Sequence, residues 1–337
     1  MSKSPVTRIA LGTMEMGKRM NFEESVAFLK KFQEYGLTEL DAAYMYAGGA
    51  DAGGSVGGLT EEIMGKIDTV HGSNVATKVN PGGGKTLSPQ SVRHQLETSM
   101  KKLNTECVDL FYLHWPCMDV NIEDTLSEVN NLYKEGKFQR FGLSNFISWQ
   151  VAEVQRICIH NGYVKPTVYQ GMYNCLTRMV EKELFPCLRK YGMSFYCYNP
   201  LAGGLLTGKH KRDDHPADDN EPGRFAGKQW GQAYRDRFWR EKYFDALDVI
   251  QNACQKEGVP VTSAALRWVT HHSALSGDNG DAIIVGASGI SHLASNLDAL
   301  NEGPLPLSIV DAIEQGHELT KGHGPNYFRN VSLRHAV

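Results

Sequence analysis

The chain has 337 residues, of which 41 % are hydrophobic and 22 % are charged, a composition typical of a globular protein with a large core. Its 35 basic and 38 acidic residues leave a net charge of −3, which gives no reason to expect nucleic acid or a membrane surface as partner. None of the seven cysteines forms a C-x-x-C pair, so neither a zinc site nor a disulfide framework is indicated. The N-terminus lacks the apolar core of a signal peptide and no apolar run approaches the ~18 residues of a membrane span, so a cytoplasmic location is expected.

Predicted strands and helices alternate along the whole chain. The first strand, at residues 9–13, precedes a helix that begins at a capping box formed by Asn21 and Glu24. The next three strands are predicted to end at Asp41, near Lys78 and at His114. The other four cover residues 138–143, 167–170, 194–198 and 282–286. The last helices are predicted at residues 244–256, 262–272, 292–301 and 308–321.

Eight such units predict an α/β fold, a closed (β/α)8 TIM barrel that forms a single domain over residues 1–337. An open doubly wound sheet is the alternative. Residues 47–58 include six glycines, which predicts a mobile loop. The polar residues 209–231 are too numerous for an ordinary connection, so they are predicted to form a functional loop. This loop and the C-terminal tail are expected to cover the C-terminal face of the barrel.

Three polar side chains stand where neighbouring predicted strands end. Asp41, Lys78 and His114 should converge, because the C-terminal strand ends of a barrel form its active site. Lys78 lies in an apolar strand, where a buried ammonium is costly unless it is paired, and Asp41 is the candidate partner. Tyr46 follows in the next loop. A tyrosine with an ordinary pKa of ~10 exchanges protons poorly at neutral pH, but an adjacent cation lowers that pKa. The alternative is a Lys78–Asp41 pair that is only structural.

Two glycine patterns bear on phosphate binding. Residues 203–209 have the G-x-x-x-x-G-K spacing of a P-loop, but His210 replaces the Ser or Thr that would bind magnesium. The glycines of residues 48–58 do not follow the G-x-G-x-x-G pattern of a Rossmann fold. A nucleotide triphosphatase is therefore disfavoured, although a glycine-lined turn after the seventh strand can hold a phosphate without either motif.

Several motifs resemble the aldo-keto reductase superfamily in type and order. They are residues 41–46, Lys78, residues 113–116, 142–145, Gln170 and residues 198–208. Residues 12–17, 169–173 and 325–329 are similar to its aflatoxin B1 aldehyde reductase subfamily. The resemblance spans nearly the whole chain and implies a barrel that binds NADPH without a Rossmann fold, and it allows a homodimer.

The resemblance also implies roles for individual residues. The catalytic tetrad corresponds to Asp41, Tyr46, Lys78 and His114. The contacts to the nicotinamide carboxamide correspond to Ser144, Asn145 and Gln170, and the ring stacked on the nicotinamide to Tyr198. The pyrophosphate loop corresponds to residues 199–209, with contacts at Asn199, Pro200, Leu201, Gly203, Leu205, Gly208 and Lys209, and Arg224 resembles a position near the cofactor's phosphates. The adenosine contacts correspond to Gly286, Ser288, His292 and Asn296. The substrate contacts correspond to Met14, Trp115, Arg237, Tyr327 and Arg329. At the adenosine end, His292 stands in place of the usual Gln or Arg and Ser295 in place of the usual Glu, which weakens the expected preference for NADPH over NADH.

The expected activity is therefore the NADPH-dependent reduction of aldehydes or ketones, with a small-molecule carbonyl substrate. Tyr46 is expected to donate the proton, Asp41 to anchor Lys78, and His114 to orient the carbonyl. Arg237 and Arg329 are expected to accept short aldehydes that carry a carboxylate. Two alternatives stay open: a cofactor-sensing barrel resembling the β subunits of potassium channels, and a carbonyl reductase dedicated to secondary metabolism.

Overall fold

The computed structural model describes residues 4–48, 58–216, 223–227 and 230–329. The predicted glycine-rich loop over residues 47–58 lies outside the described residues except at its two ends. Part of the predicted functional loop over residues 209–231 is outside them as well.

Eight parallel strands close into one barrel in sequence order, which confirms the predicted (β/α)8 fold and excludes the open doubly wound sheet. The strands are β1 Arg8–Gly12, β2 Glu39–Asp41, β3 Asn74–Val79, β4 Val108–Leu113, β5 Phe138–Ser144, β6 Val168–Met172, β7 Ser194–Tyr198 and β8 Ala282–Val285.

Helices separate the strands. Those of the described residues are α1 Phe22–Gln33, α2 Leu59–Gly65, α3 Pro89–Leu103, α4 Ile122–Lys134, α5 Ser148–Asn161, α6 Leu184–Lys190, α7 Trp230–Phe238, α8 Glu241–Glu257, α9 Val261–Arg267, α10 Ile290–Asn301 and α11 Leu307–Thr320. A turn of π-helix at Trp268–His272 continues α9. In the described parts of the chain, none of these helices has the length and apolarity needed to cross a membrane.

Two helices, α1 and α3, begin at the capping residues predicted from the sequence. The side chain of Asn21 accepts the N–H of Glu24 at 2.9 Å, and the Glu24 carboxylate accepts the N–H of Asn21 at 2.9 Å, which confirms the capping box of α1. Ser88 accepts the N–H of Ser91 at the start of α3, whose first residue is Pro89. The polar helix α7 was not predicted, because it lacks a long apolar stripe.

Contacts between Cα atoms divide the chain into two units. The larger unit comprises Ala10–Gly171, Lys182–Tyr196 and the tail from Tyr327. The smaller unit comprises the residues up to Ile9, Met172–Glu181 and Cys197–Asn326. Each has a buried apolar core. In the larger unit it includes strands such as β3 and β4 and helices such as α3, and in the smaller unit it includes β8, α8, α9 and α11.

Candidate active site

The strand ends of the larger unit bring the candidate tetrad together. Asp41 is the last residue of β2 and pairs in register with Ala76 of β3. Successive side chains of a strand point to opposite faces, so Lys78 points the same way as Ala76 and opposite to Thr77. His114 directly follows β4, and its N–H donates to the carbonyl of Val79 at 2.9 Å.

The ammonium of Lys78 is fully buried and lies between acceptors. Its Nζ is 2.7 Å from Oδ2 of Asp41 and 2.6 Å from the carbonyl oxygen of Ala42. Burial lowers the pKa of Lys78 from its ordinary value, while the charge and hydrogen bond of Asp41 raise it, as does the charge of Glu61. Asp41 therefore counteracts the cost of burying this cation.

The hydroxyl of Tyr46 lies within reach of the same cation. Nζ of Lys78 is 3.4 Å from the Tyr46 oxygen and 4.9 Å from the centre of its ring. The ring of His114 lies edge-on to Tyr46, with 6.2 Å between the ring centres. The structure thus places a candidate proton donor, its cation and an imidazole in one cluster, all within the larger unit.

The surroundings of His114 favour the neutral form of its imidazole. Burial lowers its pKa well below the ordinary value, and the positive charges of Lys78 and Arg329 lower it further. Its Nδ1 is buried and has no hydrogen-bond partner among the described residues. A neutral imidazole carries one N–H, so it can donate to a carbonyl oxygen without carrying a full charge.

The three residues predicted to contact the nicotinamide carboxamide adjoin this cluster. Gln170 is buried and donates through Nε2 to Oδ1 of Asp41 at 2.7 Å. Asn145 donates through Nδ2 to the carbonyl of His114 at 2.9 Å and to Oγ of Ser144 at 2.9 Å. Asn145 has a positive φ of 61°, a conformation that asparagine tolerates better than most residues. Both amides are fixed by contacts with the candidate tetrad.

The loop after β1 bonds to the backbone carbonyl of Asp41. The N–H and the hydroxyl of Thr13 both bond to the carbonyl oxygen of Asp41, at 3.1 and 2.9 Å. The half-buried Met14, a predicted substrate contact, follows directly. This loop is thereby held at the end of β2.

The C-terminal tail contacts the backbone of Asn145. The N–H of Arg329 donates to the carbonyl of Asn145 at 3.2 Å. The guanidinium carbon of Arg329 lies 3.8 Å from the ring centre of Trp115, which is 4.8 Å from that of His114. Arg329 itself is exposed. Two predicted substrate contacts, Trp115 and Arg329, therefore form a stacked pair beside His114.

Tyr327 is the fourth predicted substrate contact of the larger unit, and its hydroxyl bonds to other residues. It donates to Oε1 of Glu183 at 2.5 Å and accepts the N–H of Ser148 at 3.1 Å. The side chain is only 3 % exposed, and burial followed by Glu183 raises its pKa to about 12. Tyr327 thus joins the tail to the residue that precedes α6 and to the start of α5.

The smaller unit carries the predicted pyrophosphate loop, residues 199–209. Asn199, Gly203, Gly204 and Gly208 all have positive φ values, of 56°, 70°, 109° and 74°. The buried Nδ2 of Asn199 has no hydrogen-bond partner in the described part of the chain. Nothing lies within 4 Å of the position that a Cβ of Gly204 would occupy. The loop therefore offers an open backbone and an unused amide donor, which fits a phosphate ligand. Its other predicted contacts are Tyr198, Pro200, Leu201, Leu205 and the exposed Lys209.

Arg224 and Arg237 share one aromatic neighbour in the smaller unit. Their guanidinium carbons lie 5.4 and 5.6 Å from the ring centre of Tyr234. A Cβ at Gly203 would be 2.7 Å from the same ring, so glycine is required where Tyr234 packs on the loop. The structure thus brings together a predicted cofactor residue, Arg224, and a predicted substrate residue, Arg237.

The predicted adenosine contacts lie in the turn after β8, at Gly286 and Ser288, and in α10, at His292 and Asn296. Oγ of Ser288 is 3.0 Å from Nδ1 of His292, and Asn296 donates to the carbonyl of Gly286 at 3.4 Å. The open turn leads into the N-terminus of a 12-residue helix, a favourable place for a phosphate. Together with Lys209 and Arg224, these donors fit an anionic dinucleotide. No cluster of three His, Cys, Asp or Glu suited to a metal occurs among the described residues.

Glu61 of α2 is a buried acid near the site that the sequence analysis did not single out. The Thr77 hydroxyl donates to it at 2.5 Å from the strand position next to Lys78. Burial raises its pKa to about 7, although Thr77, Ser99 and Lys102 favour the ionised form. The sequence gave no sign that Glu61 is buried, because an exposed glutamate in the first turn of a short helix would look the same.

Comparison with known proteins shows the family to which the chain belongs. Residues 8–318 match the model of the aldo/keto reductase family. The chain is 51 % identical to human aflatoxin B1 aldehyde reductase member 2, over 98 % of this chain and 92 % of the relative. It is 48 % identical to human aflatoxin B1 aldehyde reductase member 4, over 94 % of this chain and 96 % of the relative. It is 38 % identical to the aldo-keto reductase pigE of Monascus ruber, over 97 % of this chain and 99 % of the relative. The chain belongs to the aldo/keto reductase family.

Proposed function

We propose that this chain reduces aldehydes or ketones to alcohols with NADPH, and that Tyr46 is the general acid. Membership of the family supports carbonyl reduction by an oxidoreductase. One observation carries the finer proposal: the buried ammonium of Lys78 contacts both the Asp41 carboxylate and the Tyr46 hydroxyl.

In this proposal the chain's own residues manage the proton and the substrate. Asp41 holds Lys78, whose positive charge favours the deprotonated form of Tyr46 and so eases the transfer of the hydroxyl proton to the carbonyl oxygen. His114, neutral because of its lowered pKa, donates an N–H to the same oxygen and stabilises the charge that develops there. Bound NADPH supplies the hydride.

Aldo/keto reductases generally use NAD(P)H, and the donors described above support NADPH in particular. We assign Ser144, Asn145 and Gln170 to the carboxamide, the loop after β7 to the pyrophosphate, and the turn before α10 to the adenosine end. Arg224 is assigned to the 2′-phosphate, because a guanidinium binds phosphate through paired hydrogen bonds.

The tail supports a preference for substrates that carry a carboxylate. Arg329 presents an exposed guanidinium stacked on Trp115 next to His114, so its fork can bind a carboxylate while the indole contacts the carbon skeleton. Arg237 is assigned the same role, and Met14 is assigned to the substrate pocket.

An NADPH-oxidation screen over aldehydes, ketones and quinones tests the activity, with Tyr46→Phe as the decisive variant. We expect turnover of aldehydes by the wild type and a loss of ~10²–10⁴-fold in Tyr46→Phe, which lacks the acid. NADPH should bind this variant with near-normal affinity by fluorescence titration. Reduction at more than about a tenth of the wild-type rate would show that Tyr46 is not the acid. Failure of the wild type to oxidise NADPH with any carbonyl would favour the cofactor-sensing alternative.

A further inference from the structure

The tail reaches Trp115 through three residues that are fixed in different ways. Tyr327 is buried, Phe328 packs against it with 5.2 Å between ring centres, and Arg329 is exposed. The backbone N–H of Arg329, which bonds to Asn145, and its stacking on Trp115 connect it to the candidate site. An exposed arginine side chain loses considerable rotamer freedom when it is fixed, so its position depends on how firmly the preceding residues are held.

Tyr327 supplies that attachment through what we call the tail anchor, which consists of Tyr327, Glu183 and the N–H of Ser148. The Tyr327 hydroxyl donates to the Glu183 carboxylate at 2.5 Å and accepts the N–H of Ser148 at 3.1 Å, so it acts both as donor and as acceptor. A hydrogen bond to a charged group contributes more to stability than one between neutral groups. The Tyr327 side of this bond is buried, whereas Glu183 is exposed.

We propose that Glu183 is a positioning residue for substrate selectivity: by accepting the hydroxyl of Tyr327, it holds the tail so that Arg329 lies over Trp115. This inference rests on the proposed carboxylate-binding role of Arg329. It assigns to Tyr327 the role of a support for Arg329, and it makes selectivity for charged substrates depend on an acid that does not itself touch the substrate.

The kinetic test compares 4-carboxybenzaldehyde with its neutral isostere 4-nitrobenzaldehyde. In Glu183→Leu and Tyr327→Phe, we expect the ratio of kcat/KM values for the two aldehydes to fall about tenfold, mainly through KM for the charged aldehyde. Glu183→Gln keeps an acceptor oxygen and should retain most of the ratio. A purely structural role would change the two aldehydes equally.

A matched control exists in the smaller unit. The hydroxyl of Tyr173 donates to Glu181 at 2.5 Å and accepts the N–H of Ala274 at 3.0 Å, the same arrangement at a site remote from the tail in sequence. Tyr173→Phe should lower stability in a similar way and leave the ratio unchanged. If it lowers the ratio as much as Tyr327→Phe does, general destabilisation explains the effect and the proposal is overturned.

Hydrogen exchange gives a readout that does not depend on activity. The N–H of Arg329 is bonded to Asn145, so the peptide covering residues 326–329 should exchange slowly in the wild type and in Glu183→Gln. In Glu183→Leu and Tyr327→Phe its protection should fall at least tenfold. Unchanged protection would overturn the anchor even if Arg329→Leu alters selectivity. Lost protection with no effect of Arg329→Leu on the ratio would instead overturn the carboxylate role of Arg329, and with it the selectivity role of Glu183.

Discussion

Gln170 donates a 2.7 Å hydrogen bond to Oδ1 of Asp41, the carboxylate oxygen that Lys78 does not use at its closest contact. The carboxylate therefore lies between an amide donor and a buried ammonium, and it is itself only 4 % exposed. Removing its charge should leave the fully buried Lys78 without a hydrogen-bonded counter-ion, since the carbonyl of Ala42 offers only a dipole. Stability and catalysis are then expected to depend on Asp41 in different ways.

We expect Asp41→Asn to lower the free energy of unfolding by about 3–5 kcal/mol at neutral pH, because it breaks a buried ion pair. The loss should be smaller at pH 9, where a buried lysine with a lowered pKa more readily becomes neutral. Urea denaturation at both pH values measures this. The double variant Lys78→Met/Asp41→Leu is the control: it should recover most of the stability and remain inactive. Full stability of Asp41→Asn at neutral pH would contradict the account.

His114 should stay neutral throughout the pH range of ordinary assays, because burial, Lys78 and Arg329 all lower its pKa. Its imidazole proton resonances in NMR, assigned with His114→Gln, are expected not to titrate between pH 6 and 8. A native pKa below the unfolded one means that stability falls as the pH drops below about 6.5. A midpoint near 6.5 for His114 would exclude its role as a neutral donor.

Glu61 should make stability decrease as the pH rises. Its ordinary pKa of 4.5 is raised to about 7 by burial, so the native state binds more protons than the unfolded state between these values. The contribution is fully present below pH 4.5 and lost above 7, a change of about 3 kcal/mol. Relative to the wild type, Glu61→Gln should therefore gain stability from pH 5 to pH 8 in denaturant titrations. The exposed neighbour Glu62, changed to Gln, is the control and should show no such gain. Parallel pH curves for wild type and Glu61→Gln would refute the burial effect.

The barrel and the four candidate tetrad residues were predictable because both depend on local patterns. Asp41 ends one strand and Lys78 lies in the apolar strand that follows. Closing the barrel therefore brings the two side chains together at its C-terminal face. The tail anchor was not predictable in the same way. Glu183 and Tyr327 are 144 residues apart, and no periodicity indicates that a tail residue meets the residue before α6. Glu61 was missed for a related reason, because only packing against Thr77 and Ser99 distinguishes it from the exposed Glu62.

The preference between the two cofactors should depend on Arg224. We expect Arg224→Ala to lower the ratio of kcat/KM for NADPH to that for NADH about tenfold or more, since a hydrogen bond to a charged group contributes ~1.5–3 kcal/mol. Arg237→Ala is the matched control, because Arg237 packs on the same Tyr234 ring but is assigned to the substrate. Its cofactor ratio should stay at the wild-type value. Equal kcat/KM for both cofactors in the wild type would contradict the proposed preference itself.

The charge of Arg329 should determine how well the enzyme accepts short aldehydes that bear a carboxylate. We expect Arg329→Leu to lose ~10–100-fold in kcat/KM for 4-oxobutanoate, given ~1.5–3 kcal/mol for a charged hydrogen bond, and to change little for butanal, which has the same number of carbon atoms. Arg329→Lys keeps the charge without the planar fork, so its loss should be intermediate.

Trp115 separates the effect of charge from that of shape. Trp115→Phe shrinks the surface on which the Arg329 guanidinium stacks at 3.8 Å. It should weaken binding of both aldehydes, because both contact the aromatic ring. The charged aldehyde should lose more, because Arg329 is then held less firmly. Steady-state kinetics of the variants with the two aldehydes give the comparison. Equal losses for 4-oxobutanoate and butanal in Arg329→Leu would show that Arg329 shapes the pocket and does not bind the carboxylate.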